Sequence, residues 1–442
     1  MTEGMASRIA AGELLASVLD KHLALDNQGG LTALLPQDRA FALRMAKTTL
    51  RRLGQIDALL AGWMQKPLAP KFSPVSHALR LGVAQLLWMD LPPHAVVNLA
   101  VEMVKRNGFP HQAGLANAVL KRAATEGRGL CEAQDAERLN TLVWLWDSWV
   151  AAYGEARTRA LANSHLQEPP LDISVKGNPA QWAEKLGGEL ISSPCRGEDQ
   201  GGGASLHESN LLPKSPPYRR RETGGSVRLH EAADITSLPG FADGAWWVQD
   251  ANAAMPAKML EQALGSLKGK RVIDFCAAPG GKTAQLAAAG AQVTAVDISA
   301  NRIQILRENL FRLKLEAEAV VADALKWQPL LPPDAILLDA PCSATGTLRR
   351  HPDVAYLRKP GDVARLCATQ ARLLRHALEM LPPGGILAYA VCSLQPEEGA
   401  RQIEQLLAER KNVKLYAQSL PLEAEKPDGD GFYVGVMRKM EE

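Results

Sequence analysis

The sequence has no run approaching the ~18 apolar residues of a membrane span, and its first residues lack the charged-then-apolar leader of secreted chains. These absences predict a soluble, cytoplasmic protein with no membrane partner. Six cysteines, at 131, 195, 276, 342, 367 and 392, form neither CxxC pairs nor zinc-type spacings. No disulfide framework and no metal site is therefore expected, and reduced thiols are left available as nucleophiles. Two phosphate-binding signatures are also missing: the GxxxxGK[ST] spacing of a P-loop and the GxGxxG of dinucleotide folds.

What is present is a chain of 442 residues, 46% hydrophobic, enough for about three domains with packed cores. Its formal charge of +2 is unevenly spread. Residues 39–128 carry thirteen Lys/Arg against four Asp/Glu, a local +9 that leaves −7 elsewhere. A basic domain joined to a mildly acidic remainder suits a polyanion partner, nucleic acid first among them.

Residues 1–125 read as helical. Leu79, Val83, Leu86 and Leu87, then Val97, Ala100, Val101 and Val104, recur at helical spacing, and Lys105-Arg106 before Gly108 makes a helix end. Residues 126–230 read as a connector and a small α+β region. Leu171–Val175 alternates like a strand, and a helix is expected over 181–190. Trp144, Trp146 and Trp149 read as packing anchors before base-stacking groups. From about 195 to 225 a Gly-, Ser-, Pro- and Arg-rich stretch reads as a flexible insertion.

Residues 231–442 show alternating strands and helices, an α/β Rossmann-like pattern. Strand Arg271–Phe275 runs into the small-residue turn Cys276-Ala277-Ala278-Pro279-Gly280-Gly281-Lys282 and then a helix, letting backbone amides approach a ligand closely. Two further strands end in acids, Asp297 suited to ribose hydroxyls and Asp323 to an adenine amine. Acids at strand ends without phosphate-binding glycines fit a nucleoside cofactor that carries no phosphate, and S-adenosylmethionine answers that description. The apolar runs 335–338 and 386–391 lead to Asp339-Ala340-Pro341-Cys342 and to Cys392. As neighbouring parallel strands they would bring one carboxylate and two thiols together at the carboxyl edge of the sheet. Spacing leaves open which cysteine is the nucleophile.

The run Ala78–Leu87, with Val97–Val101 and Ala116–Lys121, resembles the NusB-like RNA-binding bundle. The turn 276–283, Asp339–Gly346 with Arg349–Asp353, and Tyr389–Ser393 with Pro396-Glu397-Glu398 resemble the RNA 5-methylcytosine methyltransferases. With the NusB-like front end, the chain is similar to the bacterial 16S ribosomal RNA methyltransferase B (RsmB, Sun or Fmu) family. The resemblance implies a class I S-adenosylmethionine-dependent enzyme that methylates carbon 5 of a cytosine in 16S rRNA; a monomer without an obligate protein partner is expected. It assigns Cys392 as nucleophile, Cys342 to product release and Asp339 to cytosine activation. It adds Cys276 to Lys282, Asp297, Asp323 and Asp339 as cofactor contacts. Val391 stands where the family usually has threonine. A methyltransferase of tRNA or another RNA, and a non-catalytic RNA-binding assembly factor, are the rival readings.

Overall fold

Helical periodicity in the first third of the chain becomes a helical bundle in the computed structural model, which describes residues 4–25, 31, 34–191, 225–230, 234–419 and 429–441. Its helices are α1 (Met5–Leu19), α2 (Pro36–Arg51), α3 (Leu53–Trp63), α4 (Ser73–Trp88), α5 (Pro93–Arg106), α6 (Ala113–Glu132), α7 (Ala136–Asn140), α8 (Val143–Tyr153) and α9 (Glu155–His165). The two apolar stripes meet in one core: Leu79, Val83 and Leu86 of α4 and Val97, Ala100 and Val104 of α5 are all buried. Trp146 and Trp149 of α8 are buried too, so they pack and are not available to stack on bases.

A small antiparallel sheet follows. It contains β1 (Leu171–Val175), then α10 (Pro179–Leu186), β2 (Glu189–Ile191), β3 (Ser226–Leu229) and β4 (Trp246–Val248), in the order β2-β3-β1-β4. The helix expected over 181–190 starts earlier and stops at Leu186, because Gly187 adopts φ 63°, the left-handed position that closes a helix. The 195–225 insertion lies outside the described residues apart from Gly225.

The remaining elements are α11 (Met255–Leu264), β5 (Arg271–Phe275), α12 (Gly281–Ala288), β6 (Gln292–Asp297), α13 (Ala300–Leu313), β7 (Glu318–Val321), β8 (Ala335–Asp339), α14 (Val354–Leu357), α15 (Pro360–Met380), β9 (Ile386–Val391), α16 (Ala400–Glu409), β10 (Val413–Ser419) and β11 (Tyr433–Lys439). Seven strands form one sheet in the order β10-β11-β9-β8-β5-β6-β7. Strands β5 to β9 pair in parallel, and β11 runs antiparallel beside β9. Strands buried on both faces need near-continuous apolar runs, and β8 and β9 supply them. Ile336, Leu338, Leu387 and Tyr389 face one core with α15 and α16. Ala335, Leu337, Ile386 and Ala388 face the other with α11 and α12.

The chain divides into two compact units. One holds residues 1–168 together with Thr347–Lys359, and the other holds 169–346 and 360–442. Segment 347–359 is therefore part of the helical unit. Tyr356 donates its hydroxyl to Leu50 O at 2.8 Å, and Asp353 Oδ2 accepts the Leu25 amide at 3.1 Å.

Candidate active site

In an open α/β sheet the ligand cleft lies beyond the strand carboxyl ends where the strand order reverses. Here β5 has β6 on one side and β8 on the other, so the turns after β5 and β8 flank that point. The turn after β5 depends on unusual backbone. Cys276 has φ 61° and Gly280 φ 102°, and the first amides of α12 open from it without intrahelical acceptors. Asp297, at the end of β6, accepts the Ala278 amide at 3.2 Å and pairs with Arg302 at 3.1 Å. Arg302 also donates to Ala278 O. Asp323 follows β7 beside it, since the preceding Ala322 amide donates to Asp297 O at 3.1 Å.

Beneath the turn, Asp274 is fully buried and accepts the Thr283 hydroxyl at 2.6 Å, while its Oδ1 has no partner. Burial pushes this carboxyl up to about 7, against the Thr283 hydrogen bond, and the charges of Asp339 and Asp297 add to the rise. The same carboxylates, after burial, push the Cys276 thiol up to about 12. Asp274, Asp297 and Asp339 thus surround the turn, with Lys282 paired to Asp339 and Arg302 to Asp297. The carboxylates of Asp297 and Asp339 beside the turn suit a ligand with hydroxyls and a positive centre.

Lys282 is no surface lysine. It is buried, 2.8 Å from Asp339 Oδ2. Burial alone would lower its pKa, but Asp339 by charge and hydrogen bond, then Cys392 and Asp274, raise it above the ordinary lysine value. Asp339 is fixed by pairing in register with Ala390 of β9, and the Ala340 amide donates to Ala390 O at 2.9 Å.

Two residues beyond Ala390 stands Cys392, and its Sγ lies 3.4 Å from Cys342 Sγ. The structure thus brings together the two thiols, Asp339 and Lys282, with Lys282 sensing the charge of Cys392. The hydrogen bond to Cys392, burial, and the charges of Cys392 and Glu398 hold Cys342 well above the usual thiol range. Gly346 closes the loop, its amide donating to Cys392 O at 3.1 Å and its carbonyl accepting from Gly431 at 2.8 Å. Val391, where the family usually has threonine, is fully buried in the sheet.

One group in this region carried no role in the sequence reading. Glu398, fully buried, accepts the Ser343 amide at 2.8 Å, the Ser343 hydroxyl at 2.5 Å, the Ser393 hydroxyl at 2.6 Å and the Gln370 side chain at 3.1 Å. The signal available was the repeated Cys-Ser pair at 342–343 and 392–393, with an acid shortly after the second.

A model of the 16S rRNA methyltransferase RsmB/F family matches residues 261–438, and a NusB family model matches residues 5–125. The ribosomal RNA small subunit methyltransferase B of Xanthomonas campestris pv. campestris is 36% identical, covering 96% of this chain and 91% of its own. The chain belongs to the RsmB/F family of 16S rRNA methyltransferases. Another RsmB/F relative, the methyltransferase B of Pseudomonas putida, is 33% identical over 99% of both chains. Among solved structures, PH0851 covers 98% of this chain and 99% of its own with a TM-score of 0.69 at 19% identity, a likeness of fold. A methyltransferase homolog protein from Pyrococcus horikoshii covers 66% of this chain and 94% of its own with a TM-score of 0.50 at 27% identity. The RsmB/F catalytic region and the NusB region are therefore joined in one methyltransferase chain.

Proposed function

We propose that this methyltransferase transfers a methyl group from S-adenosylmethionine to carbon 5 of a cytosine in 16S rRNA through a covalent bond between Cys392 and carbon 6. The observation that carries this reading is the pair of sulfurs 3.4 Å apart beside the Lys282–Asp339 ion pair. Two adjacent thiols serve a reaction that must both form and undo a carbon–sulfur bond. They are superfluous for methylation of an already nucleophilic nitrogen or oxygen.

The carboxylate cleft fits the cofactor. Asp297 would accept from ribose hydroxyls and Asp323 from the adenine amine, while the Cys276 to Lys282 turn and Asp339 would hold the amino-acid portion. When bound, S-adenosylmethionine supplies an electrophilic methyl. Carbon 5 of cytosine is a weak nucleophile, and addition of the Cys392 thiolate to carbon 6 converts it to an enamine carbon able to accept that methyl. Asp339 hydrogen-bonds the N3 and exocyclic amine edge during the addition.

The methylated carbon 5 must then lose its proton. Cys342, having given its own thiol proton to solvent, takes it; the C–H electrons reform the C5–C6 double bond, and the C6–S bond breaks to return the Cys392 thiolate. Cys342 Sγ lies 3.4 Å from Cys392 Sγ, so the base stands beside the bond it releases. The enzyme is read as a cytoplasmic monomer, its basic helical unit meeting the RNA.

The test uses the full chain with unmodified 16S rRNA transcript and methyl-labelled S-adenosylmethionine, with tRNA as a second substrate. Cys392→Ala should neither transfer methyl nor form an RNA adduct, and Cys342→Ala should accumulate a persistent adduct. An adduct that survives Cys392→Ala and vanishes in Cys342→Ala would reverse the two roles, and preferential labelling of tRNA would replace the substrate.

A further inference from the structure

Each thiol of the site is followed by a serine, and both serine hydroxyls end on one carboxylate oxygen. Ser343 and Ser393 donate to Glu398 Oε2 at 2.5 and 2.6 Å, and the two hydroxyls are 3.1 Å apart. The other oxygen, Oε1, takes the Ser343 amide and Gln370 Nε2. These four donors are all neutral, and hydrogen bonds of neutral donors to a carboxylate are of the short, strong, charge-assisted kind. Gln370 Nε2 also donates to Pro341 O at 2.9 Å, one residue before Cys342. The backbone of Glu398 is fixed in turn by the Tyr389 hydroxyl, which donates to Glu398 O at 2.5 Å from the middle of β9.

The two loops do not depend equally on this carboxylate. Cys392 directly follows β9, which is buried along its whole length and paired with β8 and β11. Cys342 lies three residues past the end of β8 in a loop without strand pairing, and its neighbour Ser343 is held at both amide and hydroxyl. Building on the cysteine roles proposed above, we infer that Glu398 is a positioning residue for the release step, fixing the Cys342 thiol against the Cys392 sulfur by holding Ser343 and Ser393 on one carboxylate. Its charge also contributes, after the Cys392 hydrogen bond and burial, to holding the Cys342 thiol above the usual range.

Glu398→Gln keeps the side-chain shape and the Oε1 acceptor but replaces the oxygen that accepts both hydroxyls. Addition by Cys392, anchored on β9, should proceed, while removal of the carbon 5 proton should stall. With the full chain, 16S rRNA transcript and labelled S-adenosylmethionine, the expected result is transfer of about one methyl per enzyme with accumulation of an RNA–protein adduct. Steady-state turnover should fall between about 10- and 100-fold, the scale of an ångström-level misplacement. The adduct should disappear in the double variant with Cys392→Ala. Ser343→Ala, which removes one hydroxyl and no charge, should show a weaker form of the same trapping and decides the matter if Glu398→Gln does not fold. Glu397→Gln, at an exposed ion pair with Arg401, should turn over like the parent. A purely structural role would lower the first methyl transfer and turnover in equal proportion with no adduct. That outcome, or parental turnover in Glu398→Gln, overturns the inference. If Cys342→Ala itself turns over freely, the release role fails and the inference with it, whereas trapping in Cys342→Ala but in neither Glu398→Gln nor Ser343→Ala removes Glu398 alone.

Discussion

The ammonium of Lys282 lies 2.8 Å from Asp339 Oδ2, and the Phe432 ring centroid is 5.2 Å from the same nitrogen. This lysine is the cation that faces both the acid proposed to engage the cytosine and the sulfur proposed to attack it. Lys282→Met keeps the length of the stem and deletes the charge. Asp339 is left without its partner, and the Cys392 thiolate loses its compensating charge. We expect kcat to fall by about 10- to 100-fold. KM for RNA should move by less than about threefold if the interactions that Lys282 loses are those with Asp339 and Cys392. A rise in KM with kcat unchanged would reassign Lys282 to RNA binding.

Gly346 has no room for a side chain. A Cβ there would sit 1.9 Å from Gly431 O and 2.7 Å from its carbonyl carbon, and both obstacles are backbone. Because the Gly346 amide holds Cys392 O, Gly346→Ala must displace the loop bearing Cys342 or the segment bearing Gly431. Overpacking of this kind costs about 1–3 kcal/mol. Calorimetry should show a melting point lowered by several degrees, at about 2–4 °C per kcal/mol, together with lost methyl transfer. An unshifted melting point with full turnover would show that the loop tolerates the displacement.

Asp274 gives the catalytic unit a pH dependence of definite sign. Its carboxyl is raised in the fold from 3.8 to about 7. Between those values the folded state binds a proton that the unfolded chain has lost, so stability falls as pH rises from about 4 to about 7 and levels off on either side. Asp274→Asn mimics the neutral form and should erase this slope. The variant and the parent should differ little near pH 4, and the variant should be the more stable by on the order of 4 kcal/mol above pH 8. Denaturant midpoints measured across that range check it, and parallel curves would show that Asp274 is ionised throughout.

The sheet and the turn after β5 were legible because parallel strands need continuous apolar runs and a close backbone turn needs small residues. Both signals are local. The meeting of Cys342 with Cys392 was legible by the same route, once 335–338 and 386–391 were read as adjacent strands. The ion pair of Lys282 was not, since a lysine in the first turn of a helix looks identical whether it points into the cleft or into water. Nor was the Glu398 cluster, which joins residues 343, 370, 393 and 398 through side chains. The packing of 347–359 into the helical unit rests on Tyr356, Leu357 and Asp353, whose partners in α1 and α2 or nearby lie some three hundred positions away. No periodicity links them.

Cys276 puts a third thiol near the site, and its surroundings argue that it takes no part in bond formation. It stands at the start of the turn expected to hold the cofactor, where burial and the carboxylates of Asp339, Asp297 and Asp274 push it up to about 12. At pH 8 about one such thiol in ten thousand is ionised, against roughly a quarter for an ordinary exposed thiol. Iodoacetamide, which reacts with the thiolate, should therefore modify Cys276 roughly two thousandfold more slowly than a free cysteine. The rate should climb about tenfold per pH unit through pH 10 without levelling. Cys276→Ala should retain both methyl transfer and the Cys392 adduct, since the turn needs only a small residue there that accepts φ 61°, at a backbone cost on the order of 1–2 kcal/mol already carried by the parent. Peptide mapping after alkylation at pH 8 gives the direct reading. Rapid labelling of Cys276, or loss of the RNA adduct in Cys276→Ala with the fold intact, would make it a participant and would remove the two-thiol account.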